Sequence, residues 1–283
     1  MGSRGDSASM NTRNEQIEAI LDQAEVVLDT GDAEKAIAIC DHALSLFPGH
    51  PGALFVRGDG LRALGEMAEA AQSYRAAALA RPDHASSWAS LALTAFEILN
   101  ITEADRAMKR AIREDPTNPQ AWWVRSLLRE WRGDISGADR SRTHAAWLDP
   151  IGFPLPPTLT EEEIDTLVEE CLMELPQSIR DYLSNVVILL EDLPGIGVLK
   201  QFDPPASPLQ MLGYFSGPSL MDRGEGFTPW SQLPANIILY RRNLQRYAMS
   251  RDHLIEELRI TLLHEVGHFL GLDEEDLKVR GLD

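Results

Sequence analysis

The sequence is poor in several things that would each define a class of protein. It has two cysteines in 283 residues, Cys40 and Cys171, with no CxxC pair, so a disulfide framework is excluded and both thiols are expected to be buried in helices. No uninterrupted apolar run approaches the roughly 20 residues that a membrane helix needs. The opening stretch, MGSRGDSASMNTRNEQ, is small and polar without the apolar centre of an export signal. Residues 1–14 are therefore expected to form a disordered tail, and the chain to work in the cytoplasm. Positive charge is scarce as well. Lys and Arg number 26 against 44 Asp and Glu, a formal charge of -18, and residues 151–283 carry -12 of it. Such a surface repels phosphate backbones and anionic lipid, which excludes nucleic acid and membrane as natural partners. Cationic peptides or a metal ion suit it better.

The front half does have a period. Pro48, Pro82, Pro116 and Pro150 are spaced 34 residues apart, and so are Ala36, Ala70, Ala104 and Ala138, as well as Ala43, Ala77, Ala111 and Ala145. Gly31, Gly65 and Gly133 keep the same spacing, with Leu99 standing where the third glycine is due. Small residues let two antiparallel helices approach closely, a glycine turns the chain between them, and proline ends the second helix. Large residues share a slot in the first helices: Leu54, Trp88 and Trp122. The tryptophans are expected in the packing between helices.

Four units in register over residues 15–150 resemble the tetratricopeptide repeat (TPR) family. The resemblance implies an all-α superhelix with a groove that binds a protein or peptide, either substrate or partner. After it comes DPIGFPLPPTLTEEE, whose four prolines cannot continue a helix. Residues 151–159 are read as a stiff linker and 160–283 as a second domain.

In that second domain Thr160 and Glu163 form an N-terminal capping pair ahead of Ile164, Leu167, Val168, Cys171 and Leu172, which recur at helical spacing to about Leu175. Three segments, NVVILLED from Asn185, QMLGYFSG from Gln210 and ANIILYRR from Ala235, have the composition of strands. Those segments count against a purely helical adaptor. A last helix is expected from near Ser250 to about Gly271. Ile255, Leu258, Leu262, Val266 and Phe269 share its apolar stripe, while His264 and His268 lie roughly opposite, with Glu257 and Thr261.

His264-Glu265-Val266-Gly267-His268 is an HExxH arrangement. Imidazoles four residues apart on a helix can converge on one Zn²⁺, and the glutamate, rotated about 100° from the first histidine, flanks the metal as a general base for a water that the ion acidifies. Gly267 and Gly271 are expected to leave room for a ligand or substrate. Gly271 can also end the helix and turn the chain back, so that Glu274, Asp273 or Asp276 supplies the third ligand. No methionine follows the motif, so a Met-turn is not expected. Tyr240, Arg241, Arg242 and His253 are the residues considered for stabilising a transition state, and each is expected as a surface or core group rather than a catalytic one.

Residues 158–283 resemble the small bacterial zincin-like metallopeptidases, through VVILLED, MLGYFSG, LPANIILYRRNLQRY and LRITLLHEVGHFLGLDEEDL in that order. The resemblance implies a small α/β (α+β) domain with a short sheet and an active-site helix. It further implies zinc peptidase activity, a substrate strand paired to a sheet edge, His264 and His268 as ligands, Glu265 as base and Glu274 as the acidic ligand. The expected function is thus a zinc-dependent peptidase with a recruiting repeat domain; the alternative is a binding scaffold whose zincin-like part is inactive or senses metal.

Overall fold

The computed structural model describes residues 4–221 and 235–279, with side chains from residue 15 onward. It separates into two compact units, Met1–Leu155 and Pro156–Asp283.

The first unit is a succession of helix pairs: α1 (Arg4–Asp29) with α2 (Ala33–Leu46), α3 (Pro51–Ala63) with α4 (Met67–Ala80), α5 (Ala85–Glu97) with α6 (Ile101–Glu114), and α7 (Pro119–Trp131) with α8 (Ile135–Leu148). The eight alanines of the repeat are all wholly buried, which lets paired helices meet backbone to backbone. Asp32, Asn100 and Asp134, again on the 34-residue period, accept a backbone N–H at the start of each second helix; Glu66, at the fourth such position, makes no cap bond. Gly31, Gly65 and Gly133 turn with φ of 88°, 81° and 78°, and Leu99 adopts the same left-handed turn at 62°. The repeat imposes this conformation on leucine despite the clash of its Cβ. The two tryptophans of the shared slot do more than fill space. Each donates its indole N–H to the carbonyl of the proline that closes the preceding unit, Trp88 to Pro82 at 3.0 Å and Trp122 to Pro116 at 2.8 Å.

Two local features differ from expectation. α1 begins at Arg4, inside the stretch that composition assigns to a disordered tail; no proline lies there to stop a helix running back from the packed turns around Ile17 and Ala24. The linker is also less extended than its prolines suggest. The backbone N–H groups of Ile151 and Gly152 bond the Asp149 carboxylate, Phe153 packs its ring 5.9 Å from Trp123, and Leu159 is already in the core of the second unit.

The second unit contains α9 (Glu161–Glu174), α10 (Gln177–Leu183), β1 (Val186–Glu191), α11 (Ile196–Leu199), β2 (Gly213–Ser216), β3 (Ala235–Tyr240), α12 (Arg241–Tyr247), α13 (Arg251–Leu270) and α14 (Glu274–Val279). β3 is the central strand, parallel to β1 and antiparallel to β2. Ile237 and Leu239 of β3 meet Leu258, Leu262, Val266 and Phe269 of α13, and α9 closes the cluster through Ile164 and Cys171. The apolar stripe of the last helix therefore faces the sheet, which turns the opposite side of α13 towards a cleft. No helix among the described residues is long and apolar enough to cross a membrane.

Candidate metal centre and its cleft

α13 is fixed at both ends by its own sequence. Ser250 accepts the N–H of His253 at the start, and Gly271 ends the helix at φ 92° with the N–H of Leu272 returning to the Gly267 carbonyl. That left-handed exit folds the chain back, and Asp273 then accepts the N–H of Asp276 to start α14. α14 lies close because Gly267 has no side chain: a Cβ there would sit 2.3 Å from the Leu277 side chain, which is wholly buried. A Cβ on Gly271 would likewise meet Met221 at 2.7 Å. The room at these two glycines is thus taken by Leu277 and Met221, not kept for substrate, because the backbone has to turn and dock before the site exists.

Docking α14 brings Glu274 to the two histidines. His264 Nε2 and His268 Nε2 are 3.0 Å apart, and the Glu274 carboxylate lies 3.8 Å from the first and 3.4 Å from the second. These are the only such cluster of potential ligands among the described residues, and all three donor atoms fall within 4.8 Å of one another. Asp273 is occupied in capping α14, and neither it nor Asp276 joins the cluster. His268 Nδ1 lies 3.2 Å from the Leu272 carbonyl, which can only accept, so the proton is on Nδ1 and the lone pair on Nε2 faces the cluster. A tetrahedral ion with bonds of about 2.0–2.1 Å separates its donors by about 3.3 Å; the three observed separations bracket that spacing. The donor set of two imidazoles and one carboxylate fits zinc, with a fourth position left for water or substrate.

Glu265 is 6% exposed and sits under β2. Burial pushes its carboxyl up to about 8, with the Phe215 backbone N–H opposing the shift and the Glu274 charge adding to it. The strand approaches closely only because residue 213 is glycine: a Cβ there would lie 2.7 Å from Thr261 Cγ2 and 2.8 Å from Glu265 Oε1. Gly213 is a functional position the sequence reading passed over, although a glycine inside the strand-like MLGYFSG signals a close backbone approach. Asn243 is another. Wholly buried, it donates from Nδ2 to the carbonyls of Pro208 and Met211 at 3.0 and 2.6 Å, holding the 208–212 segment as a wall of the cleft.

That cleft, about 430 Å³, opens beside His264 and Glu265 and is walled by Leu209, Leu212, Tyr247 and Ile260. Of the four residues considered for transition-state stabilisation, Tyr240 is wholly buried with its hydroxyl pKa raised by that burial. Arg241 pairs with Asp192 at 2.5 Å, and the Arg242 backbone N–H donates to the Asp192 carbonyl. His253 lies in the first turn of α13, its Nε2 3.0 Å from Glu257 Oε1.

Two family models match parts of the chain. Residues 183–282 match the family model described as Zincin-like metallopeptidase, and residues 21–85 match Tetratricopeptide repeat. No curated protein matches the chain. Among solved structures, a thermophilic TPR protein of Thermus thermophilus is 19% identical over 56% of this chain and 82% of its own, with a TM-score of 0.43. MamA of Desulfovibrio magneticus is 16% identical over 59% and 89%, with 0.42. A mutant of the Thermobaculum terrenum O-GlcNAc transferase is 17% identical over 68% and 33%, with 0.45. The chain carries tetratricopeptide repeats followed by a zincin-like metallopeptidase domain.

Proposed function

We propose that the second unit is a zinc-dependent peptidase and that the repeats recruit or position its protein substrate or partner. One observation carries the reading: two imidazole nitrogens and a carboxylate gather within 4.8 Å of one another, with the buried Glu265 beside them. His264, His268 and Glu274 would hold the ion. When bound, the ion supplies a Lewis acid that acidifies a water and polarises a carbonyl. Glu265, favoured in its ionised form when a cation sits beside it, takes the proton of the attacking water on its carboxylate and returns it to the leaving amine nitrogen. Leu272 keeps the His268 lone pair turned inward, and the Phe215 N–H keeps the Glu265 carboxylate against β2. Among the described residues β2 pairs with β3 on one side only, so its other edge offers an extended peptide a backbone partner next to the base. A cytoplasmic setting, our proposal for location, is in keeping with two buried, unpaired cysteines.

The test is Glu265→Gln in zinc-loaded protein challenged with a peptide mixture. Zinc content stays at the wild-type level while cleavage falls by roughly 100-fold or more, the contribution of a general base. Unchanged turnover would remove Glu265 from the mechanism. A wild type that holds zinc and cleaves nothing would favour a scaffold with a metal-sensing site.

A further inference from the structure

α13 presents Glu257, Ile260, Thr261, His264 and Glu265 to the cleft, a single stripe at helical spacing. Glu257 is two turns from His264, about 10 Å along the axis. Its side chain is 15% exposed, in a cleft whose walls are largely carbon at Leu209, Leu212, Tyr247 and Ile260, with Gln210 and Thr261 as polar neighbours. Among the described residues, no lysine or arginine lines that space. The carboxylate is also held in place. The Met249 backbone N–H donates to His253 Nδ1 at 3.1 Å, so the ring proton is on Nε2, and Nε2–H donates to Glu257 Oε1 at 3.0 Å. Oε1 is occupied by that bond, while Oε2 is left to accept from something else.

A partly buried carboxylate at the far end of an apolar slot is an expensive thing to keep without a cation to meet it. Methylene groups suit the walls, and a positive tip suits the end. We infer that this cleft is the side-chain subsite next to the scissile bond and that it selects a long basic residue, arginine or lysine, through Glu257. The inference rests on the peptidase reading for its location, though not for its chemistry. Glu257 would be a specificity-determining residue and His253 the positioning residue behind it. The excess negative charge of residues 151–283 draws the same class of substrate by long-range attraction.

The test is a binding measurement kept separate from cleavage. A capped pentapeptide with a central arginine, and twins with lysine, citrulline or norleucine in its place, are titrated into zinc-loaded full-length protein carrying Glu265→Gln. The basic peptides should bind roughly tenfold or more tightly than the neutral ones, the worth of one charge-assisted hydrogen bond. Adding Glu257→Gln should abolish that difference, and Glu257→Lys should reverse it. Ile260→Trp, which fills the slot without touching the carboxylate, should weaken all four peptides alike and serves if the Glu257 variants fold badly. Equal affinities, no binding, a preference that survives Glu257→Gln, or an Ile260→Trp protein that binds as before would each overturn the inference. Selective binding without cleavage by the parent protein would keep the subsite and remove the peptidase; cleavage without selectivity would do the reverse.

Discussion

The fourth repeat has an ion pair where the third has hydrocarbon, and the difference can be measured. Arg142 Nη2 lies 2.8 Å from Glu130 Oε1, with the two side chains 9% and 1% exposed. Their counterparts one repeat earlier, 34 residues back, are Phe96 and Met108, 1% and 5% exposed. Removing one partner of a buried pair costs about 3–5 kcal/mol, because the other charge stays desolvated. Glu130→Ala should fall near the low end, about 3 kcal/mol, since Asp139 still stands 3.0 Å from Arg142 Nη1. On a unit of this size that lowers Tm by roughly 6–12 °C. The double change Glu130→Phe with Arg142→Met copies the third repeat and should come within about 1 kcal/mol of wild type or exceed it. Urea unfolding followed by tryptophan fluorescence reads this directly, as five of the six tryptophans lie in the repeats. A loss under 1 kcal/mol for Glu130→Ala, or a double variant as weak as the single, would refute the reasoning.

Two further outcomes follow from contacts in the structure. Gly213→Ala, whose Cβ would press on Thr261 and Glu265 Oε1, should leave zinc content intact while lowering cleavage at least tenfold through displacement of the base; full activity with full zinc would show that β2 does not position Glu265. Cys40 is wholly buried and its thiol is pushed up to about 11, by burial first and then by the charge of Asp41. At pH 8 only about one molecule in a thousand carries the thiolate, so Ellman's reagent should not reach Cys40 in the native protein, with reactivity rising as pH climbs and both thiols titrating after unfolding. Rapid native modification at pH 8 would contradict that burial.

The repeats were legible because a structural period is written into the sequence as a residue period: prolines and alanines return every 34 positions. α13 was legible for a different reason, since Ser250 and Gly271 mark its ends and its apolar stripe keeps helical spacing. The choice among Asp273, Glu274 and Asp276 was not. It depends on the left-handed exit at Gly271, the docking of Leu277 over Gly267 and the capping role of Asp273, each a three-dimensional condition. The helices α10, α11, α12 and α14 have seven residues or fewer, too short to show a period, and tertiary packing decides them. Leu99 shows the same priority from the other side, since the repeat turns leucine into a position that favours glycine.

The most direct measurement is a zinc titration of metal-free protein by calorimetry, run beside Asp273→Ala, Glu274→Ala and Asp276→Ala. The arrangement of His264, His268 and Glu274 predicts one zinc per chain, an affinity lowered at least tenfold by Glu274→Ala, and little change from the other two. Protein that takes up no zinc, or a Glu274→Ala variant that binds it as wild type does, would contradict the account at its centre.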